Sequence, residues 1–241
     1  MVRRAGSLFF LLLSLSLTSE TRPQNIVTRM ELKYRAAKTL QATFLERYAE
    51  NGRVVRSEAG TAYFRRPGKM RWQYESPEKN VFLVDGKTAW FYVPDDHTVT
   101  RVPAKNSADW RTPLALLAGE MKLSRVCAHV EPARSQVPES TGDAMLSCVL
   151  RGTDVKSKPS TGLEPGSKSP GGGDAVFFEV SQATGELVRV LVQGSGGVEI
   201  EFKFTNWQFD PPVSKSLFQF EIPPGVAIVN GELPAENKAL K

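Results

Sequence analysis

The sequence predicts a mainly β protein with some helix (α+β), an incomplete antiparallel β-barrel of about eleven strands under a short helical lid. Three observations lead there. From Gly60 to Tyr92, four short runs of aromatic and β-branched residues are cut by Arg66-Pro67-Gly68, Ser76-Pro77 and Asp85-Gly86. Proline cannot donate to a sheet ladder and glycine tolerates positive φ, so these breaks read as turns. Met70, Trp72 and Tyr74 alternate with Arg71, Gln73 and Glu75, the period of a strand with one apolar face. Only two stretches carry helical spacing, too little to build a core of their own. They must bury their apolar stripes against the sheet, which twists and leaves an inner face to cover.

Taken in order, Met1–Ser19 places Arg3 and Arg4 before an apolar run from Leu8 to Leu17, followed by small polar residues. This is the pattern of a signal peptide, and the run is short for a transmembrane span. No cysteine follows it, because the first is Cys127, so no lipid attachment is expected. Ile26, Val27, Met30, Tyr34 and Ala37 form a helical stripe that Asn25 is placed to cap. Leu40, Ala42, Phe44 and Tyr48 then fall on one side of a strand. Asn51-Gly52 is a hairpin turn, and Val54 to Arg65 returns. After Tyr92, Pro94 to His97 turns into a strand from Thr98 to Val102.

A second helix is expected over Ser107–Glu120, with Asp109 as cap, Pro113 in its first turn and Leu114, Leu116 and Leu117 apolar. Strands follow at Met121–Val130, Ala144–Arg151, Ala175–Val180, Glu186–Gln193 and Val198–Phe209. Gly152–Asp174, rich in Gly, Pro, Ser and Lys, reads as a mobile surface loop. Asp210–Val229 is expected to fold back as an edge segment, and 231–241 to fray. The domain expectation is a signal peptide (1–19) and one domain (20–241).

Composition excludes several classes. Hydrophobic content of 41% supports a packed core but not a polytopic membrane protein. The net charge of +5 includes Arg3 and Arg4; without them about +3 remains, scattered along the chain, which argues against a nucleic-acid partner. The chain has two histidines, His97 and His129, neither within a catalytic motif, and there is no Walker A loop or G-x-S-x-G elbow. No metal site, cofactor or catalytic residue is expected. A lipid hydrolase would need one of these histidines beside a serine. Cys127 and Cys148 lie on consecutive predicted strands, so a disulfide or two buried thiols would fit there.

The same residues carry a resemblance. Arg66-Pro67, Arg71-Trp72, Pro77, Asp85-Gly86-Lys87-Thr88, Trp90-Phe91-Tyr92 and Pro113-Leu114-x-Leu116-Leu117 occur in the order seen in the periplasmic outer-membrane lipoprotein carrier (LolA) family. The chain resembles that family from about Asn25 to about Val229. Glu46 departs from it, standing where a glutamine commonly follows the strand phenylalanine. The resemblance implies a soluble, monomeric periplasmic carrier that takes the acyl chains of lipoproteins from an inner-membrane lipoprotein-releasing transporter to an outer-membrane lipoprotein acceptor. A periplasmic sensor of the same fold is the alternative. It implies that Arg66 latches the lid to the sheet. For the acyl-chain cavity and its lid, the expected residues are Met30, Tyr34, Phe64, Met70, Trp72, Phe82, Trp90, Tyr92, Leu114 and Leu117.

Overall fold

The computed structural model describes residues 23–104, 114–119, 121–151 and 175–230. The expected signal peptide, the start of the second helix with Asp109 and Pro113, the 152–174 loop and the 231–241 tail lie outside them. Helix α1 (Pro23–Ala36) opens on Pro23 and buries Ile26, Met30 and Tyr34, which recur at every fourth position along one stripe. Asn25 lies within its first turn, not at its cap. Lys33 and Arg35 sit in the last turn, where cations favour the helix dipole.

Strands β1 (Thr39–Glu50) and β2 (Arg53–Arg65) are joined by Asn51-Gly52, both at positive φ, as a two-residue hairpin turn needs. Then come β3 (Lys69–Ser76), β4 (Val81–Val84), β5 (Thr88–Val93) and β6 (Thr98–Pro103). The short helices α2 (Ala115–Ala118) and α3 (Leu123–Val126) precede β7 (Cys127–Pro132), β8 (Asp143–Leu150), β9 (Ala175–Ser181), β10 (Leu187–Gln193), β11 (Val198–Phe209) and β12 (Ala227–Asn230). The twelve strands of the described residues form one open sheet, in the order β12-β6-β5-β4-β3-β2-β1-β11-β10-β9-β8-β7. Neighbours run antiparallel except β12, which adds parallel to β6. The strand beyond the expected eleven is thus the returning tail.

One predicted strand is corrected. Met121–Val130 does not run as a single strand: Met121 has φ +48, Leu123–Val126 is α3, and only Cys127 onward pairs. The cause is remote in sequence. Glu31 Oε1 on α1 accepts the Leu123 backbone N–H at 2.7 Å and so supplies an acceptor for the start of α3. No alternation pattern can register that contact.

Buried side chains alternate along β1 (Leu40, Ala42, Phe44, Glu46, Tyr48), β2 (Glu58, Ala62, Phe64) and β3 (Met70, Trp72, Tyr74), giving the sheet an inner face under the helices. Gly60 on β2 lies where the pairing of β2 with β3 shifts register. A Cβ there would stand 2.0 Å from the Gln73 carbonyl oxygen, which is backbone and cannot swing away. Gly60→Ala is expected to destabilise by about 1–3 kcal/mol or more by overpacking. Urea unfolding checks this, and an unchanged midpoint would contradict the close approach.

On the outer face the segment after β11 crosses back over the sheet. Asp210 Oδ1 accepts the Lys38 N–H at 2.6 Å, and the Pro211 carbonyl accepts from Thr39 Oγ1 at 2.9 Å. A 3-10 turn, Lys215–Phe218, then buries Phe218. A second outer-face feature is an ion network. Arg189 on β10 contacts fully buried Glu179 at 2.6 Å and Glu201 at 3.2 Å. Its Nη2 donates to the Val137 carbonyl at 2.9 Å, and the Glu139 N–H donates to Glu179 at 2.6 Å, so the β7–β8 connection is tied onto the sheet.

Candidate functional site: the lid and the inner face

Strand register arranges the inner face in rows. Leu40, Phe64, Met70 and Val84 form one; Ala42, Ala62, Trp72, Phe82 and Phe91 the next; then Phe204, Phe44, Gly60 and Tyr74; then Phe202, Glu46 and Glu58. Trp72 lies near the middle, with the rings of Phe44 at 4.9 Å, Phe202 at 5.3 Å and Phe64 at 5.7 Å between centroids. From the helical side Met30, Tyr34, Leu114 and Leu117 belong to the same buried cluster. Among the expected cavity residues the structure therefore brings Met30, Tyr34, Phe64, Met70, Trp72, Phe82, Leu114 and Leu117 together.

Trp90 and Tyr92 do not join them. Phe82 pairs with Phe91, so Phe91 takes the inner position, while Trp90 pairs with Leu83 on the opposite face. There Trp90 and Tyr92 pack on Phe220 of the returning tail, at 5.2 and 5.7 Å. Trp90 Nε1 also donates to Asp85 Oδ2 at 3.1 Å. Burial would raise the Asp85 pKa, but the Thr88 and Lys87 N–H groups, this indole and nearby Lys69 hold it below the ordinary aspartate value.

Arg66 extends the parity of Ala62 and Phe64 past the end of β2, where it meets both helices. Its Nε donates to the Gly119 carbonyl just after α2 at 2.7 Å; its Nη1 donates to the Tyr34 carbonyl of α1 at 2.6 Å and also to the Ala37 carbonyl. These oxygens lie at helix ends, where the last carbonyls have no partner within the helix. Backbone bonds continue the seam, from Arg66 N–H to Lys38 O at 3.0 Å and from Gly68 N–H to Ala118 O at 2.8 Å. Burial lowers the Arg66 pKa, and Asp210 partly opposes this.

Helix α1 has further ties to the sheet. Besides Arg66, α1 is fixed to the β9–β10 turn: Arg29 donates to the Gln182 carbonyl, Lys33 meets Glu186 at 2.8 Å, and the Tyr34 hydroxyl accepts the Leu187 N–H at 2.9 Å. Gly185, at φ +73, lets that turn approach the Arg29–Met30 backbone. Burial raises the Tyr34 pKa well above its usual value. For α2, the described polar ties are those to Arg66 and Gly68.

Sequence reasoning missed the polar end of the inner face. Glu46 is buried and accepts from the Tyr74 hydroxyl at 2.7 Å; Glu58, opposite it on β2, contacts Arg56 at 3.0 Å. The parity of Leu40, Ala42 and Phe44 already pointed Glu46 inward. Cys127 and Cys148 are joined by a disulfide, Cα–Cα 5.4 Å, between β7 and β8. His97 Nδ1 lies 2.8 Å from the Pro94 carbonyl, and His129 is 3.6 Å from Glu131. Among the described residues no cluster of three or more His, Cys, Asp or Glu is placed to hold a metal, and no helix is long and apolar enough to cross a membrane.

Comparison with known proteins adds the following. The profile of the family described as outer membrane lipoprotein carrier protein LolA matches residues 35–137. An outer-membrane lipoprotein carrier protein of Methylococcus capsulatus is 30% identical over 210 residues, covering 83% of this chain and 89% of that one. One from Nitrosomonas europaea is 28% identical over 223 residues, covering 92% and 97%. Among solved structures, an uncharacterized conserved protein of Thermus thermophilus superposes with a TM-score of 0.51 at 14% identity, over 86% of this chain and 98% of that one. That likeness is one of fold.

Proposed function

Because the chain belongs to the outer membrane lipoprotein carrier protein family, LolA, we propose that it is a soluble periplasmic carrier of lipoproteins. Residues 1–19 direct its export, and residues 20–241 act as one carrier domain. The acyl chains of the cargo enter between the helices and the aromatic inner face. No nucleotide is used by the chain itself; an inner-membrane lipoprotein-releasing transporter loads it and an outer-membrane lipoprotein acceptor unloads it. The observation that carries this reading is the position of Arg66, which joins the ends of α1 and α2 over an inner face made of Phe64, Met70, Trp72 and Phe82.

Closed, the inner face is covered by the helices, and Arg66 Nε and Nη1 are bonded to the helix ends. Acyl chains displace α2 and break its bonds to Arg66 and Gly68. Hydrocarbon burial at ~0.8 kcal/mol per CH₂ drives loading. The broken latch raises the energy of the loaded form, so cargo moves on to an acceptor with a better apolar site. Affinity is thereby kept below what the buried chains alone would give.

Native mass spectrometry of the protein isolated from the periplasm tests this. The expected result is a population carrying acylated peptide or lipid, and uptake of added triacylated lipopeptide by the remainder. Protein that stays empty after incubation with that lipopeptide would overturn the carrier reading in favour of a sensor that binds a partner protein.

A further inference from the structure

Trp72 is fully buried at the centre of the inner face, and its indole Nε1–H has no hydrogen-bond partner among the described residues. The other two described tryptophans each donate, Trp90 to Asp85 at 3.1 Å and Trp207 to the Leu187 carbonyl at 2.8 Å. A buried N–H without an acceptor is uncommon, and buried indoles ordinarily find one. The surroundings of Trp72 explain why none is present: Phe44, Phe64, Phe202 and Phe204 ring it, and Ala62 and Phe82 flank it on the neighbouring strands. A shell of that kind also lacks the two to four polar partners that a buried water needs. Ala42 and Ala62, small residues in the same row, leave the indole its space.

A second donor on this side of the sheet is in the same condition. Arg66 Nη2 is buried without a partner. Trp72 pairs with Ala62, four residues before Arg66, which sets the backbone positions of the two about 13 Å apart along the strand direction. A plain hydrocarbon chain would satisfy neither donor. An amide-linked chain would bring a carbonyl, but also an N–H needing an acceptor that the ring shell around Trp72 does not offer. An ester carbonyl brings an acceptor and no donor.

We infer that Trp72 is a specificity-determining residue whose Nε1–H donates to the carbonyl oxygen of an ester-linked acyl chain inside the carrier. This rests on the carrier reading and names the chemical group that the inner face selects. The orphan donor costs stability in the empty protein and is matched only when such a chain is bound, so part of the binding preference is stored in the fold.

The test compares the wild-type protein with Trp72→Phe, which keeps an aromatic ring and removes the donor. Calorimetry gives dissociation constants for a synthetic triacylated lipopeptide with two ester-linked chains and for its analogue with those esters replaced by ethers. The wild type is expected to favour the ester form by about three- to tenfold, the scale of one neutral hydrogen bond. The variant is expected to lose that preference and to bind the ester and ether forms alike. A variant that keeps the full preference, or a wild type without one, overturns the inference. Wild-type protein that binds neither peptide overturns the carrier reading itself, whereas equal binding of both leaves that reading standing.

Discussion

Arg66→Leu is expected to load cargo and keep it. Leucine fills part of the space but donates nothing, so the bonds to the Gly119, Tyr34 and Ala37 carbonyls are lost together. The loss falls on the closed, empty state, because in the proposed cycle the loaded state has already given them up. Hydrogen bonds from a charged donor contribute about 1.5–3 kcal/mol each. A net loss of about 3 kcal/mol would shift the balance between loaded and closed forms by about a hundredfold. Uptake from the inner membrane should therefore stay near the wild-type level, while transfer to an acceptor slows by one to two orders of magnitude. Arg66→Lys should fall between, since one ammonium cannot reproduce the planar fork that spans two helices. A reconstituted transfer assay that follows a labelled lipoprotein decides the matter, and release of cargo by Arg66→Leu at the normal rate would sink the latch.

The largest effect on stability is expected at Arg189→Met. The arginine is hemmed in by Glu179, Glu201 and Glu139, and Glu179 is fully buried. Burial alone would lower the Arg189 pKa, but the Glu179 charge and the bonds from Glu201 and Glu179 outweigh it and raise the value. Removing one member of a buried pair leaves an uncompensated charge and costs about 3–5 kcal/mol. For a chain of this size that is a fall of roughly 10 °C in melting temperature. Adding Glu179→Gln to the same chain should recover part of the loss, because the stranded charge is then gone. The segment carrying Val137 and Glu139 should gain hydrogen exchange, since Arg189 Nη2 and Glu179 hold it to the sheet. The network also has an acid limb. The hydrogen bond from Lys203 is the main cause of the lowered Glu139 pKa. Its contribution is present above the unfolded glutamate value and disappears as pH falls through the lower folded one. A loss of under 1 kcal/mol in Arg189→Met would show that the network is only surface decoration.

Much of the architecture was legible because local signals were strong. Met70, Trp72 and Tyr74 share a face as their alternation says, and Asn51-Gly52 turns where expected. Alternation, however, says which residues share a face and not which face is inward. Trp90 and Tyr92 belong to the same series of aromatic strands as Trp72, yet Phe220, far along the chain, covers them outside. Conversely, Glu46 sits in the inward parity, and its charge hid that. The helix at Leu123–Val126 depends on a carboxylate from α1, and the ion network at Arg189 joins β9, β10 and β11 to a connecting loop. Contacts of that kind arise only once the chain is folded. The meeting of Arg66 with two helix ends belongs with them: sequence parity turned the side chain inward, but the carbonyls it meets are fixed by tertiary packing.

The sheet ends in two strands, β12 and β7, that do not pair with each other. A closed barrel has its girth fixed by strand number and stagger, and cannot widen without breaking ladder bonds. An open sheet carries no such constraint: a small change in twist at each of many interstrand junctions adds up to a change in bore, and every ladder stays intact. The β7 margin is stitched to its neighbour by the Cys127–Cys148 disulfide, so such flexing would not let that border peel away. In the proposed carrier such a scaffold would behave as a cuff and not as a ring, its grip adjusting to the thickness of the cargo.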